Sequence, residues 1–244
     1  MKKKVLLFSG GFDSTLLEWV VKPDILLYVN MHTAYSDKEV CHLENLSSYY
    51  RDRLIVKDLP LGEYEQPDSF LPYRNLMLIC IALQYGPNVY MGLSGQDIHM
   101  DCSKEFITKA RKMFSLLNKD CAVRLGWNAS DFSLEAPFKG MTKTQMLKEC
   151  LSSGMPSETA QLAHSCYSGD SEKGCGECLP CWNKAIALIN NGIYREDLFD
   201  SPISFNMFKV SLDLYEKRFG NTKKDYLHYW DVVNAYKRLQ EIRK

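Results

Sequence analysis

Short apolar runs alternate with longer stretches in which apolar positions recur every three or four residues, and this alternation persists to about residue 153. Val5-Leu6-Leu7-Phe8 has the composition of a buried parallel strand and leads through Ser9-Gly10-Gly11 into a helical pattern with Leu16, Leu17, Val20 and Val21 on one face. Asp13 and Ser14 are residue types that cap such a helix. Pro23 breaks it, and Asp24 to Asn30 reads as a second strand. A helix over residues 37–51 follows, capped by Ser36 with Val40, Leu43 and Leu46 on one face; Leu54 to Leu59 is then a third strand. Residues 60–72 hold three prolines and form a loop. A helix from Arg74 to Tyr85 ends at Gly86-Pro87 and precedes a fourth strand, Val89 to Leu93. A helix near 103–118, a fifth strand near 121–126 and a helix from Thr142 to Ser153 complete the series.

Strands alternating with helices define an α/β class chain with a doubly wound parallel sheet, whose ligands bind beyond the carboxyl ends of the strands. The expected organisation is a nucleotide-binding domain over residues 1–160, a cysteine segment over 161–190 and a helical tail over 191–244. The tail has a break at Gly220-Asn221 and places Leu227, Trp230, Val233 and Leu239 for packing on the main domain or on a partner subunit.

The turn after the first strand carries the first chemical signal. Gly10 and Gly11 permit a sharp bend with no Cβ in the way, so successive N–H groups and a helix N-terminus converge on one point, a geometry that holds phosphate. The run contains neither G-x-x-x-x-G-K-[ST] nor the third glycine of the dinucleotide fingerprint.

Charge and cysteine content narrow the function. Thirty basic and thirty acidic residues among 244 cancel, so no overall field draws the protein to nucleic acid or to an anionic membrane. The lysine-rich start leads into only four apolar residues, too few for a signal peptide, and no run approaches membrane-spanning length. Nine cysteines in such a chain point to a reducing, cytoplasmic compartment. Cys166, Cys175, Cys178 and Cys181, spaced C-x8-C-x2-C-x2-C, fit a structural zinc site closed by four thiolates, with an iron–sulfur cluster and unrelated buried thiols as the other readings. His164 is not assigned as a ligand, and Cys41, Cys80, Cys121 and Cys150 read as core fillers.

The Ser-Gly-Gly-x-Asp-Ser-Thr string at residues 9–15 resembles the pyrophosphate loop of the ATP pyrophosphatases, and with the four cysteines the chain resembles the 7-cyano-7-deazaguanine synthase family. Leu71-Pro72-Tyr73-Arg74-Asn75 is similar to the family's V-P-G-R-N. Gly92 through Asp97 to Asp101-Cys102 and Glu105-Phe106, then Thr142-Lys143 and Ser165-Cys166-Tyr167, match further family segments. The similarity runs from residue 5 to about residue 188. Departures are the segment Tyr28 to Tyr35, which keeps at most His32 of the family's D-Y-G-Q-R-H, Tyr73 in place of glycine, a shorter loop from Asp97 to Asp101, and Lys184 in place of arginine.

The resemblance implies an adenine nucleotide alpha hydrolase-like fold and an enzyme that uses ATP, Mg²⁺ and ammonia to turn 7-carboxy-7-deazaguanine into a nitrile, with one structural Zn²⁺ per chain and a homodimer. It implies nucleotide binding along Phe8, Ser9, Gly10, Gly11, Phe12, Asp13, Ser14, Thr15, Leu16 and Leu17. Asp13 would brace the loop or position Mg²⁺, Arg74 and Lys143 would offset phosphate or carboxylate charge, and Tyr73, Asn75, Asp97, Asp101 and Cys102 would line the substrate site. Other readings of the same motifs are a relative that stops at the amide or joins the acid to another amine, a tRNA sulfurtransferase, and a non-catalytic nucleotide-binding module.

Overall fold

The computed structural model describes residues 2–45, 47–97, 99–167 and 173–244. The chain divides into two compact units, Met1–Lys139 and Gly140–Lys244.

The first unit is a five-stranded parallel sheet. Strands β1 (Lys4–Leu7), β2 (Ile25–Asn30), β3 (Leu54–Asp58), β4 (Asn88–Met91) and β5 (Ser133–Glu135) lie in the order β3-β2-β1-β4-β5. Register places Leu6 beside Leu26 and Val5 beside Val89, and every neighbouring pair is parallel. The order reverses between β1 and β4, so the loops leaving those two strands flank the switch point at which doubly wound sheets bind ligands. Helices α1 (Phe12–Val21), α2 (Ser36–Asn45), α3 (Ser47–Tyr50), α4 (Arg74–Ala82) and α5 (Lys104–Arg124) connect the strands. Both sheet faces are covered, as a parallel sheet requires: on one, Val5, Leu27, Val29, Val89 and Met91 pack with Ile79 and Ala82 of α4 and with Ile107, Ala110 and Phe114 of α5, and on the other Leu6, Phe8, Leu26 and Tyr28 are buried.

Four sequence expectations change. The strand near 121–126 is the last turn of α5, because Ile107, Ala110, Phe114, Asn118 and Ala122 continue one buried face at helical spacing. The fifth strand instead forms at Ser133–Glu135, where fully buried Leu134 lies between two half-exposed neighbours; burying such a side chain stabilises by about 2 kcal/mol. The helix expected over 37–51 is split into α2 and α3, followed by a 3-10 turn at Arg51–Arg53; Leu46 lies outside the described residues. Cys150 is buried as expected, but Cys41, Cys80 and Cys121 are exposed because they fall on the solvent sides of their helices.

The second unit is helical: α6 (Lys143–Ser152), α7 (Ser157–Leu162), α8 (Leu179–Asn190), α9 (Phe205–Phe219) and α10 (Leu227–Ile242). Helix α8 is its centre and packs on α6 and α10, with Trp182 of α8 against Phe208 of α9 at 5.8 Å between ring centroids. The buried stripe of α10 is Val232, Ala235 and Leu239, so of the tail positions anticipated only Leu239 is fully buried, while Leu227 and Trp230 face outward. That stripe has its own helical spacing, offset from the larger side chains. The expected break at Gly220 is present, as a 3-10 turn over Gly220–Asp225.

Candidate active site and metal centre

In the first unit the turn after β1 is held by its own side chains. The N-cap is Gly11 and not Asp13 or Ser14, the capping types the sequence offered, so both of those residues lie inside the first turn. Ser14 Oγ donates to the Gly11 carbonyl at 3.1 Å and lies 3.4 Å from both the Ser9 amide and the Ser9 hydroxyl; Ser9 Oγ accepts from the Gly11 amide at 3.3 Å. Thr15 Oγ1 donates to the Gly10 carbonyl at 3.3 Å. Phe8, Phe12, Leu16 and Leu17 are buried beneath this turn and anchor it to the sheet. The result is a rigid turn with a helix N-terminus and an acidic residue, Asp13, in its first turn.

Two neighbouring segments close in on the turn. Gly10 has φ +70°, and a Cβ built on it would lie 3.1 Å from His42 Cδ2 and 3.1 Å from Leu43 Cδ2, so α2 lies across the loop. A Cβ on Gly92 would lie 3.2 Å from the Ser14 amide nitrogen and 3.3 Å from the Asp13 carbonyl carbon, so the chain leaving β4 touches the start of α1.

A second cluster forms around the N-terminus of α4. Tyr73 is the N-cap, with φ +60° and an exposed ring, which is how a non-glycine residue occupies this turn. Asn75 is buried; its Nδ2 donates to the Asp101 carbonyl at 3.1 Å and lies 3.3 Å from Cys102 Sγ, while its amide donates to Asp101 Oδ2 at 3.4 Å. Burial first, and then the charges of Asp97 and Asp101, push the Cys102 thiol up to about 11 against the opposing pull of Arg74, so it stays protonated at neutral pH. Asp97 Oδ2 accepts from the Ser94 amide at 2.5 Å and from its hydroxyl at 3.1 Å. Arg74, Asn75, Asp97, Asp101 and Cys102 are thus brought into one neighbourhood.

Sequence reasoning passed over several residues here. Lys139 Nζ donates to the Ser94 and Asp97 carbonyls at 2.8 and 3.0 Å and clamps the loop after β4; a lone lysine in no motif gives no signal in sequence. Tyr28 at the end of β2 donates to Glu39 Oε2 on α2 at 3.0 Å. Burial pushes the Glu39 carboxyl up to about 7, opposed by the Tyr28 hydrogen bond and the Arg74 charge. Glu39, His42 and Leu43 share the i, i+3, i+4 spacing of one helix face, the signal that could have found them.

The second unit holds the cysteines. The four Sγ atoms of Cys166, Cys175, Cys178 and Cys181 lie within 4.8 Å of one another, with Cys175–Cys181 and Cys166–Cys178 each at 4.0 Å. A tetrahedral zinc with bonds near 2.3 Å needs sulfurs about 3.8 Å apart, so the donor set fits. Backbone amides point at the sulfurs: the Glu177 and Cys178 amides donate to Cys175 Sγ at 3.4 and 3.3 Å, and the Cys175 amide donates to Cys166 Sγ at 3.4 Å. These hydrogen bonds favour thiolates. Lys184, buried in α8, donates to the Gln161 and Ala163 carbonyls at 2.7 Å each and ties down the chain leading to Cys166. Lys143 opens α6 behind a capping box in which Thr142 and Gln145 satisfy each other's amides at 3.3 and 3.0 Å.

A doubly wound parallel sheet with a glycine turn at its switch point, together with four cysteines spaced to hold a metal ion, fits the class of α/β nucleotide-binding folds with a cysteine knuckle. The chain belongs to the family described as "Queuosine biosynthesis protein QueC", which it matches over residues 39–192, more than half its length. It is 28% identical over 239 residues to a 7-cyano-7-deazaguanine synthase of Methanoculleus marisnigri, spanning 84% of this chain and 99% of that protein. It is 26% identical over 215 residues to one of Myxococcus xanthus, spanning 74% of this chain and 90% of that protein. A third, from Archaeoglobus fulgidus, is 27% identical over 246 residues, covering 88% and 95% of the two chains. Among the described residues no helix is long and apolar enough to cross a membrane.

Proposed function

We propose that the protein is an ATP-dependent carbon–nitrogen ligase that converts 7-carboxy-7-deazaguanine and ammonia to 7-cyano-7-deazaguanine. The observation that carries this reading is the self-braced Ser9–Thr15 turn at the switch point of the sheet, in a chain of this family whose relatives bear the name of that synthase.

A carboxylate resists attack by ammonia because its leaving group would be oxide. Attack of the substrate carboxylate on the α-phosphate of ATP expels pyrophosphate and supplies AMP as the leaving group. Ammonia then gives the amide, and a second adenylation, on the amide oxygen, lets AMP depart as the nitrile forms. In this reading Ser9, Gly10, Gly11, Ser14 and Thr15 receive the pyrophosphate through amide and hydroxyl donors. Asp13 would help hold Mg²⁺, which when bound would neutralise phosphate charge. Arg74 offsets charge on the carboxylate or the α-phosphate, and Asp97 and Asp101 present acceptors to the N–H edge of the deazaguanine. The four cysteines hold one structural zinc, leaving no open position for a reacting water. A homodimer in the cytoplasm is the setting this reading assumes.

The test is pyrophosphate release from ATP and Mg²⁺ with and without 7-carboxy-7-deazaguanine. Release that requires the acid supports the ligase; release with none of the candidate acids, or only with tRNA and a sulfur donor, rejects it. An amide or an amine conjugate in place of the nitrile would keep the adenylation and reassign the product.

A further inference from the structure

Forming the carbon–nitrogen bond releases a proton, which needs an acceptor in the site. When ammonia adds through its lone pair to the activated carbonyl carbon, the nitrogen takes on positive charge. The bond to AMP then breaks with its electron pair, and a proton must leave nitrogen to give the neutral amide. We propose that Glu39 is the catalytic base that accepts this proton, an assignment that rests on the ligase reading above.

The geometry points to this side chain. Glu39 shares a helix face with His42 and Leu43, whose side chains lie on Gly10 of the phosphate turn, so its carboxylate stands one helical turn away over the same end of the sheet. The groups facing it are Tyr28 from β2, Tyr35 from the turn before α2 and Arg74 from α4. Tyr28 occupies Oε2 as a donor, and burial followed by the neighbouring Glu39 charge pushes its phenol far above the ordinary range, so it does not compete as a base. Tyr35 is pushed up by burial as well, and Arg74 is a permanent cation.

The other carboxylates near α4 each hold a backbone amide with one oxygen, and the ligase reading gives their remaining acceptors to the deazaguanine. Asp97 Oδ2 holds the Ser94 amide and hydroxyl, Asp101 faces the Asn75 amide, and the Cys102 thiol stays protonated. Glu39 instead balances near neutrality, between burial, which raises it, and Tyr28 and Arg74, which lower it. A base poised near the working pH combines a useful deprotonated fraction with the greatest affinity for a proton.

Glu39→Gln preserves the shape and the acceptor for Tyr28 while removing the base. Two readouts separate its role from a structural one: the first pyrophosphate burst with ATP and acid before ammonia is added, and product formation with ammonium from about pH 6 to about pH 9. The expected result is a burst within about threefold of wild type, while product formation falls roughly 100-fold or more and loses the additional rise that ionisation of the carboxylate gives, keeping only the increase due to free ammonia. Glu39→Ala should regain part of the product rate when formate is supplied as an external base. A burst that falls in step with product formation, or a Glu39→Gln profile that superimposes on wild type, would overturn the assignment and leave the ligase intact. A wild-type protein that releases no pyrophosphate would overturn the ligase and this role together.

Discussion

At the residue scale, few side chains are asked to do much. Ser14 is the knot of the turn after β1, since its hydroxyl reaches the Gly11 carbonyl and the amide and hydroxyl of Ser9. On the ligase reading, Ser14→Ala should lower pyrophosphate release about 100-fold or more, because it loosens the turn proposed to receive the phosphates, and Asp13→Ala at least as much, because it removes the proposed Mg²⁺ partner. Normal release from both variants would remove the turn from the reaction. Glu39 also makes a stability statement. Its folded carboxyl lies near 7, above the ordinary carboxylate range, so its favourable contribution is present below that range and is lost as pH rises through about 7. Glu39→Gln cannot ionise and should therefore gain melting temperature over wild type between about pH 5 and about pH 8; a gap that does not change with pH would place the carboxylate in water. The glycine turn and the cysteines were legible in sequence because their spacing is a local signature. Glu39 and Lys139 were not, since their partners, Tyr28, Ser94 and Asp97, are supplied by the fold.

Elements carry the fit between loops. Gly10 adopts φ +70° under α2, and Gly92 abuts the first turn of α1, so the loops leaving β1 and β4 touch at the switch point. Gly92→Ala would press a methyl against backbone that is itself part of the phosphate turn; we expect a soluble protein with pyrophosphate release reduced at least tenfold. Gly10→Ala adds left-handed backbone strain of about 1 kcal/mol to a similar contact and should lower both stability and activity. Unimpaired release from Gly92→Ala would show that the two loops are independent. Four of the five strands were legible as apolar runs bounded by breakers. The fifth was misplaced because Cys121 to Leu125 is short and apolar, and only the continuation of the buried face from Ile107 identifies it as helix. Its true position, Ser133–Glu135, is three residues long, and its pairing with β4 supplies what its own pattern lacks.

At the scale of the whole molecule, two units divide the work. The first presents the phosphate turn and the Arg74 to Cys102 cluster, and the second is stapled by the cysteine centre and by Lys184, which fixes the chain before Cys166. Cys178→Ser or chelation should remove one zinc per chain and sharply raise protease sensitivity within residues 140–244, since binding of structural zinc contributes on the order of 10 kcal/mol to such sites. Undiminished zinc in Cys178→Ser would move the metal elsewhere. Family membership was legible from motifs dispersed over residues 5–188, while the division at Lys139 was not, because no proline-rich or low-complexity linker marks it.

The measurement that bears most directly on the account is a mass spectrum of the product formed from ATP, Mg²⁺, 7-carboxy-7-deazaguanine and ¹⁵N-labelled ammonium, with pyrophosphate counted in the same tube. The account predicts a nitrile carrying one ¹⁵N and two pyrophosphates released for each. Unlabelled acid recovered unchanged, with no pyrophosphate, would contradict it.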